Sequence, residues 1–348
     1  MASLFFWHCA IMWSPRYSSP YASGWEGATF SSFRGRHSGP LVLGYTFTLY
    51  YGTLRLRQYP PYATAALQSE SVNVALVTAH SPSAQRWQRV HYGGNLLNYI
   101  DATQQGITSR QSDLIVWPEF AVGFYLDREP ALQAQIGRLT RRANAPLLLG
   151  APRTSNSEAG PNYYNTAYFI SANGRLQDVY DKIRLLPFAE FRPFSLPALV
   201  SHRHERLSLF TPGERTTIFS LPKGDFGVMI CYEATYPYLA RRLVQRGAQF
   251  LVNISNDVWL SYGGPAAAQQ HFAISVFRAV ETKRSLARVA TAGLSGFVDP
   301  AGRRASLSVA TSGVTFDCSR SGAHPLHALW RRVCLGLHRL CPDGRDPN

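Results

Sequence analysis

From Val72 onward, short apolar runs alternate with amphipathic stretches. Val72 to Thr78 reads as a strand and Trp87 to Gln105 as a helix. Asp113 to Trp117 is a run of buried-strand type that stops at Pro118-Glu119. Ala131 to Asn144 has helical spacing and leads into a strand from Pro146 to Gly150. Tyr163 to Ile170 and Arg175 to Tyr180 flank the turn residues Asn173-Gly174, which predicts a hairpin. Asp225 to Cys231 is another apolar strand, followed by a helix to Arg246 and a strand from Gln249 to Ile254. A long helix over Ala266 to Arg284 precedes strands near Ser295 to Val298 and Leu307 to Ala310. Strands and helices in this alternation predict one layered α/β domain over residues 70–316.

The pattern breaks at both ends. Residues 1–65 are rich in Ser, Gly, Tyr and Trp, with Glu26 as their only acid, and hold two apolar patches, Leu4 to Trp13 and Leu41 to Leu54. Both are shorter than a spanning helix, which needs about 20 residues. The second ends at Arg55 and Arg57 with aromatic residues along it, so it reads either as part of a membrane anchor or as a plain apolar lead. Residues 317–348 form a tail rich in Arg, His, Leu, Cys and Pro without a clear period.

Composition narrows the function. The 348 residues are 45% hydrophobic and only 16% charged, with a formal net charge of +14. No Lys/Arg run exceeds two residues, so the charge lacks the stripe expected of a nucleic-acid binder and suits an anionic lipid surface better. The five cysteines, Cys9, Cys231, Cys318, Cys334 and Cys341, are too scattered for a disulfide framework. The tail residues His327, Cys334, His338 and Cys341 fit no strong zinc spacing, and no metal or diffusible cofactor is expected.

Three reactive side chains each sit at the end of an apolar run. Glu119 closes Leu114-Ile115-Val116-Trp117-Pro118, where partial burial suits a carboxylate to proton transfer. Lys182, one of only three lysines, stands between Asp181 and Ile183-Arg184-Leu185-Leu186-Pro187-Phe188. Cys231 ends Val228-Met229-Ile230 ahead of a helix whose N-terminus would favour its thiolate. Each has an ordinary structural explanation: a loop glutamate, a lysine paired with Asp181, an inert buried thiol. Together they form a set for covalent acyl chemistry: nucleophile, base and oxyanion stabiliser.

In these segments the chain resembles the nitrilase (carbon–nitrogen hydrolase) superfamily, whose triad is Glu-Lys-Cys. Within it the likeness is closest to the bacterial apolipoprotein N-acyltransferases. The stretches that carry it are Trp117-Pro118-Glu119, Tyr164-Asn165-Thr166-Ala167, Leu186-Pro187-Phe188-Ala189-Glu190, Ile230-Cys231-Tyr232-Glu233, Asn253 to Trp259 and His271 to Arg288. The resemblance implies a four-layer α-β-β-α sandwich. It makes Glu119 the general base, Lys182 the oxyanion stabiliser and Cys231 the acylated nucleophile. Glu190, Tyr232, Glu233 and Asn165 become site-supporting residues.

The implied reaction moves an acyl chain from a phospholipid to the α-amine of a lipoprotein's N-terminal diacylglyceryl-cysteine. The implied place is the bacterial inner membrane, with the catalytic domain on its periplasmic side. The family carries several membrane helices before this domain and one after it. Here the lead and the tail stand in their places, so a shortened relative, or a reading frame altered at both ends, is the expectation. The family's Asn-x-Gly turn reads Thr291-Ala292-Gly293 in this chain. The same residues also fit an amidase or nitrilase acting on a small substrate, or a degenerate, conjugation-associated member.

Overall fold

A computed structural model describes residues 38–58, 71–79, 87–107, 112–158, 160–191, 210–307 and 312–317. The apolar patch at Leu4 to Trp13, four of the cysteines and the tail beyond Asp317, which itself ends a strand, lie outside these residues. The chain divides into two compact units, residues 1–55 and 56–348.

The first unit contributes helix α1 (Ser38–Gln58). The apolar lead is thus helical, with Thr46, Thr48 and Thr53 hydroxyls each donating to the carbonyl four residues back. Its Val42, Leu43, Tyr45, Phe47, Leu49, Tyr50 and Leu54 side chains are all exposed, and Phe47 stacks on Tyr51. Among the described residues no helix is long and apolar enough to cross a membrane.

The second unit holds two six-stranded sheets built on one plan. In the first, β1 (Ser71–Leu76), β2 (Leu114–Val116) and β3 (Leu147–Ser157) run parallel. Next to β3 lie β4 (Gly160–Ile170) and then β5 (Leu176–Asp181), each antiparallel to its neighbour. In the second, β7 (Gly224–Ile230), β8 (Phe250–Ser255) and β9 (Leu286–Ala290) run parallel. They are flanked by β6 (Ile218–Leu221) on one side and by β10 (Ser295–Val298) and β11 (Arg304–Leu307) on the other. Strand β12 (Ser312–Asp317) crosses back to pair antiparallel with β1 in the first sheet.

Alternation along the strands sorts the layers. Leu114, Val116 and Leu148 face inward and meet Val228, Ile230, Phe250, Val252 and Ile254 of the second sheet. Phe169 of the first sheet packs on Phe219 and Phe226, and Phe226 stacks on Phe250, all within 5.6 Å between ring centres. The alternate residues Ile115, Trp117, Leu147 and Leu149 face outward onto Leu96 and Tyr99 of α2 (Tyr92–Ile107) and Ile136 and Leu139 of α3 (Pro130–Ala143). Met229 and Leu251 likewise meet Ala240 and Leu243 of α4 (Pro237–Gln245) and Phe272 and Ala279 of α5 (Gly264–Thr282). The outcome is the expected α-β-β-α sandwich.

Several elements differ from the sequence expectation. β3 runs on from Gly150 to Ser157 because its partner β4 begins at Gly160 and pairs along the whole length. β6, β9 and β12 were not expected from pattern alone. They are short, and β9 carries an arginine at its centre. The last expected strand, Leu307 to Ala310, meets β11 only at Leu307, where β11 ends, and residues 308–310 lie outside the described residues. The helix expected directly after Cys231 is split. A tight 3₁₀ turn, Cys231–Thr235, comes first, and Pro237 then opens α4.

Candidate active site

Strands β2, β7 and β8 are central parallel strands, and β5 runs in the same direction as β2. Each ends with one component of the site.

Glu119 lies just past β2. Trp117 anchors this end by stacking on Tyr99 and donating from Nε1 to Thr103 Oγ1 at 2.9 Å. The Pro118-Glu119 turn rests on Gly150 of β3, where a Cβ would stand 2.6 Å from the Glu119 Cα. The carboxylate is buried, not at the rim of the core. Its Oε2 accepts the Asn256 N–H at 2.8 Å. Its Oε1 accepts Asn165 Nδ2 at 2.7 Å and Lys182 Nζ at 3.2 Å.

Lys182 follows β5, and its backbone N–H is held by the Asn165 carbonyl at 2.8 Å. It does not pair with Asp181, whose carboxylate is taken by Arg153 and Thr166. Its ammonium, 1% exposed, lies between Glu119 at 3.2 Å and Glu190 at 2.8 Å. Burial works against that charge, but the two carboxylates outweigh it and hold the lysine above its ordinary pKa. Glu190 is itself fixed by the Leu186 N–H at 2.6 Å and by Asn165 Nδ2 at 2.7 Å. Asn165 therefore ties both carboxylates together beneath the ammonium.

Cys231 ends β7 in a left-handed conformation, φ 51°. Phe120 and Phe188, next to Glu119 and close to Glu190, also have positive φ. Backbone strain of this kind tends to gather at functional sites. The thiol is pushed up to about 12, first by burial and then by the Glu119 carboxylate, with Lys182 acting in the opposite direction. This corrects the expectation of a thiolate. The turn that follows is a single 3₁₀ turn, and α4 begins six residues on, so the cysteine does not itself open the α-helix that was expected. Cys231 rests as a thiol and requires a base.

Glu233 is a clasp between the cysteine and lysine segments. Its Oε2 accepts the Ile230 N–H at 2.7 Å. Its Oε1 accepts Tyr180 Oη at 2.7 Å and the N–H groups of Ile183 at 2.8 Å and Arg184 at 3.0 Å. Burial raises its pKa, and these donors act against that shift. Tyr232 is half-buried, with its ring against Tyr236.

Sequence reasoning assigned no role to a second buried cluster behind the thiol. Asp257 Oδ1 accepts Ser255 Oγ at 2.6 Å and lies 2.9 Å from His271 Nδ1. Its Oδ2 accepts Arg288 Nη2 at 2.8 Å. Arg288 is fully buried and also bonds Asn253 Oδ1. The signal in the sequence was an arginine in the middle of the apolar run Leu286-Ala287-Arg288-Val289-Ala290. Donor atoms of Cys231, Asp257 and His271 lie within 4.8 Å of one another, the kind of set that can ligate a metal ion. Here the Arg288 guanidinium already supplies the positive partner of Asp257.

Aromatic side chains lie close to the site segments. Trp87 packs on Phe120 and Phe120 on Phe210, while Phe188 and Trp259 are exposed.

Residues 73–315 match the family described as carbon-nitrogen hydrolase. The chain belongs to the carbon-nitrogen hydrolase family. All of the site residues named above lie inside that span, and α1 lies outside it.

Among curated relatives, an apolipoprotein N-acyltransferase from Geobacter metallireducens is 32% identical over 66% of this chain and 44% of its own length. One from Chlorobaculum tepidum is 31% identical over 77% of this chain and 56% of its own length. This carbon-nitrogen hydrolase thus spans about half the length of the curated relatives it matches. Its fold is that of a carbon-nitrogen hydrolase from Helicobacter pylori G27, with TM-score 0.57 at 15% identity, covering 76% of this chain and 94% of that one. A variant amidase from Nesterenkonia sp. AN1 aligns with TM-score 0.52 at 19% identity, over 76% of this chain and 98% of that one.

Proposed function

We propose that this chain transfers an acyl group from a phospholipid to the α-amine of a lipoprotein's N-terminal diacylglyceryl-cysteine through a thioester on Cys231. The observation that carries the reading is the convergence of Glu119, Lys182 and Cys231 in one buried cluster, inside a segment whose curated relatives are named apolipoprotein N-acyltransferases.

Glu119 takes the Cys231 proton as the sulfur attacks the ester carbonyl. The oxyanion formed faces the Lys182 ammonium and the Tyr232 N–H, next in the chain after the nucleophile. Collapse breaks the ester C–O bond, and the lysophospholipid leaves with the proton held by Glu119. The lipoprotein amine then attacks the thioester and gives its proton to Glu119. The C–S bond breaks, and the proton returns to sulfur. A resting thiol at about 12 suits this order, since the proton leaves only when substrate and base are both in place. Excluding water from so buried a site favours the amine over hydrolysis.

The exposed apolar side chains of α1, the exposed aromatic residues Trp87, Phe188 and Trp259 and the net charge of +14 support work at an anionic membrane surface. The proposed place is the bacterial inner membrane, with the catalytic unit on the periplasmic side.

The test is intact mass after incubation with phosphatidylglycerol-containing vesicles, with a Cys231→Ala control. The expected result is a hydroxylamine-sensitive gain of one acyl chain that the control lacks, on protein that floats with the vesicles. No adduct, together with hydrolysis of a small amide, would replace this reading with an amidase.

A further inference from the structure

The tripeptide Ser255-Asn256-Asp257 at the end of β8 touches three parts of the site at once. The Ser255 hydroxyl donates to Asp257 at 2.6 Å, and an Asp257 carboxylate oxygen lies within 4.8 Å of the Cys231 sulfur. The Asn256 N–H is given to Glu119 Oε2 at 2.8 Å. Asp257 turns the other way, onto Arg288 at 2.8 Å and His271 at 2.9 Å. Gly293 (φ +116°) closes the remaining side, where a Cβ would stand 2.5 Å from Asp257 Oδ2. Asp257 is thus enclosed by Ser255, His271, Arg288 and Gly293, and the residue before it meets the base.

We propose that Asp257, fixed by Arg288 and His271 and lying beside Cys231, is a positioning residue that sets the Asn256 N–H on Glu119. The inference rests on the reading of Glu119 as base and Cys231 as nucleophile. The Asn256 N–H occupies one oxygen of Glu119, which orients the carboxylate. A shift of about 1 Å in such a group costs on the order of 100-fold in rate.

This role separates from mere scaffolding by sign. The charged groups acting on the thiol are Glu119, Lys182 and Asp257, and the Asp257 carboxylate opposes ionisation of Cys231. In Asp257→Asn that carboxylate is gone, so alkylation of Cys231 by iodoacetamide at pH 8 should become faster. Acylation of Cys231 should become slower, because the Glu119 anchor is displaced. A scaffold that had only loosened would change both rates together, along with the melting temperature.

The experiment measures acylation by p-nitrophenyl acetate and by phospholipid vesicles, beside iodoacetamide alkylation, in the full chain. For Asp257→Asn the expected result is a fall in acylation of roughly 10- to 100-fold with faster alkylation and little change in KM. Arg288→Lys keeps the charge but loses the planar fork. It should slow acylation at unchanged alkylation, and it decides the matter if Asp257→Asn does not fold. Unchanged acylation in folded variants, or both rates falling together, overturns the proposal. A wild type acylated by the small ester but not by vesicles would overturn the acyltransferase reading and leave the positioning role standing. A wild type acylated by neither donor overturns the nucleophile assignment and this inference with it.

Discussion

At the scale of single residues, burial decides the chemistry. The cluster around Lys182 holds two carboxylates against one ammonium, so its net charge is negative and ionising the nearby thiol adds to it. Cys231 is therefore protonated at rest, unlike a cysteine activated by a helix N-terminus. Only the thiolate is alkylated, so the rate at Cys231 should rise about tenfold per pH unit from pH 7 to 10, past the ordinary thiol range near 8.5 without levelling. Timed iodoacetamide labelling read by mass spectrometry checks this; a plateau near pH 8 would show a thiol perturbed by neither burial nor Glu119. Glu119, Lys182 and Cys231 were legible in the sequence because each interrupts or ends an apolar run. Arg288 carried the same signal, a charge inside an apolar strand, but its meaning depended on Asp257 and His271, which lie 31 and 17 residues away.

At the scale of elements, strand ends deliver the site, and a single glycine in β3 lets the Glu119 turn after β2 settle against it. Gly150 has an ordinary negative φ; its requirement is space, since Pro118 O and the Glu119 backbone press on the position a Cβ would take. The Gly150 N–H also donates to that Pro118 carbonyl at 3.2 Å. Gly150→Ala should cost about 1–3 kcal/mol in stability, as overpacking does, and displace Glu119. Urea unfolding gives the first quantity and p-nitrophenyl acetate acylation the second, which should fall even where the variant remains folded. The strands that bear Glu119 and Cys231 were visible as apolar runs. β6 and β12 were not, because Ser220 in the first and Ser312, Gly313 and Thr315 in the second leave no continuous apolar run to mark a strand.

At the scale of the whole molecule, the inner faces of two similar sheets make one core. Phe226 is its centre, packed on Phe169 across the sheets and on Phe219 and Phe250 within its own. Phe226→Ala should cost about 3–5 kcal/mol, read as a lower urea midpoint. Acylation should fall with it, because β7, which carries Phe226, also carries Cys231. A loss of stability below about 1 kcal/mol would mean that the sheets repack readily.

The sequence by itself determined the class of fold and the order of its main elements, and it singled out Glu119, Lys182 and Cys231 as candidates, because hydrophobic period and residue type are local properties. Only the tertiary structure decided what surrounds each of them: the Glu119–Lys182–Glu190 contacts, the clasp of Glu233, the raised thiol and the anchoring of Asp257. Those depend on which strand ends come together and on how far water is excluded between them, and both are set by the packing of two sheets whose strands lie far apart in the chain.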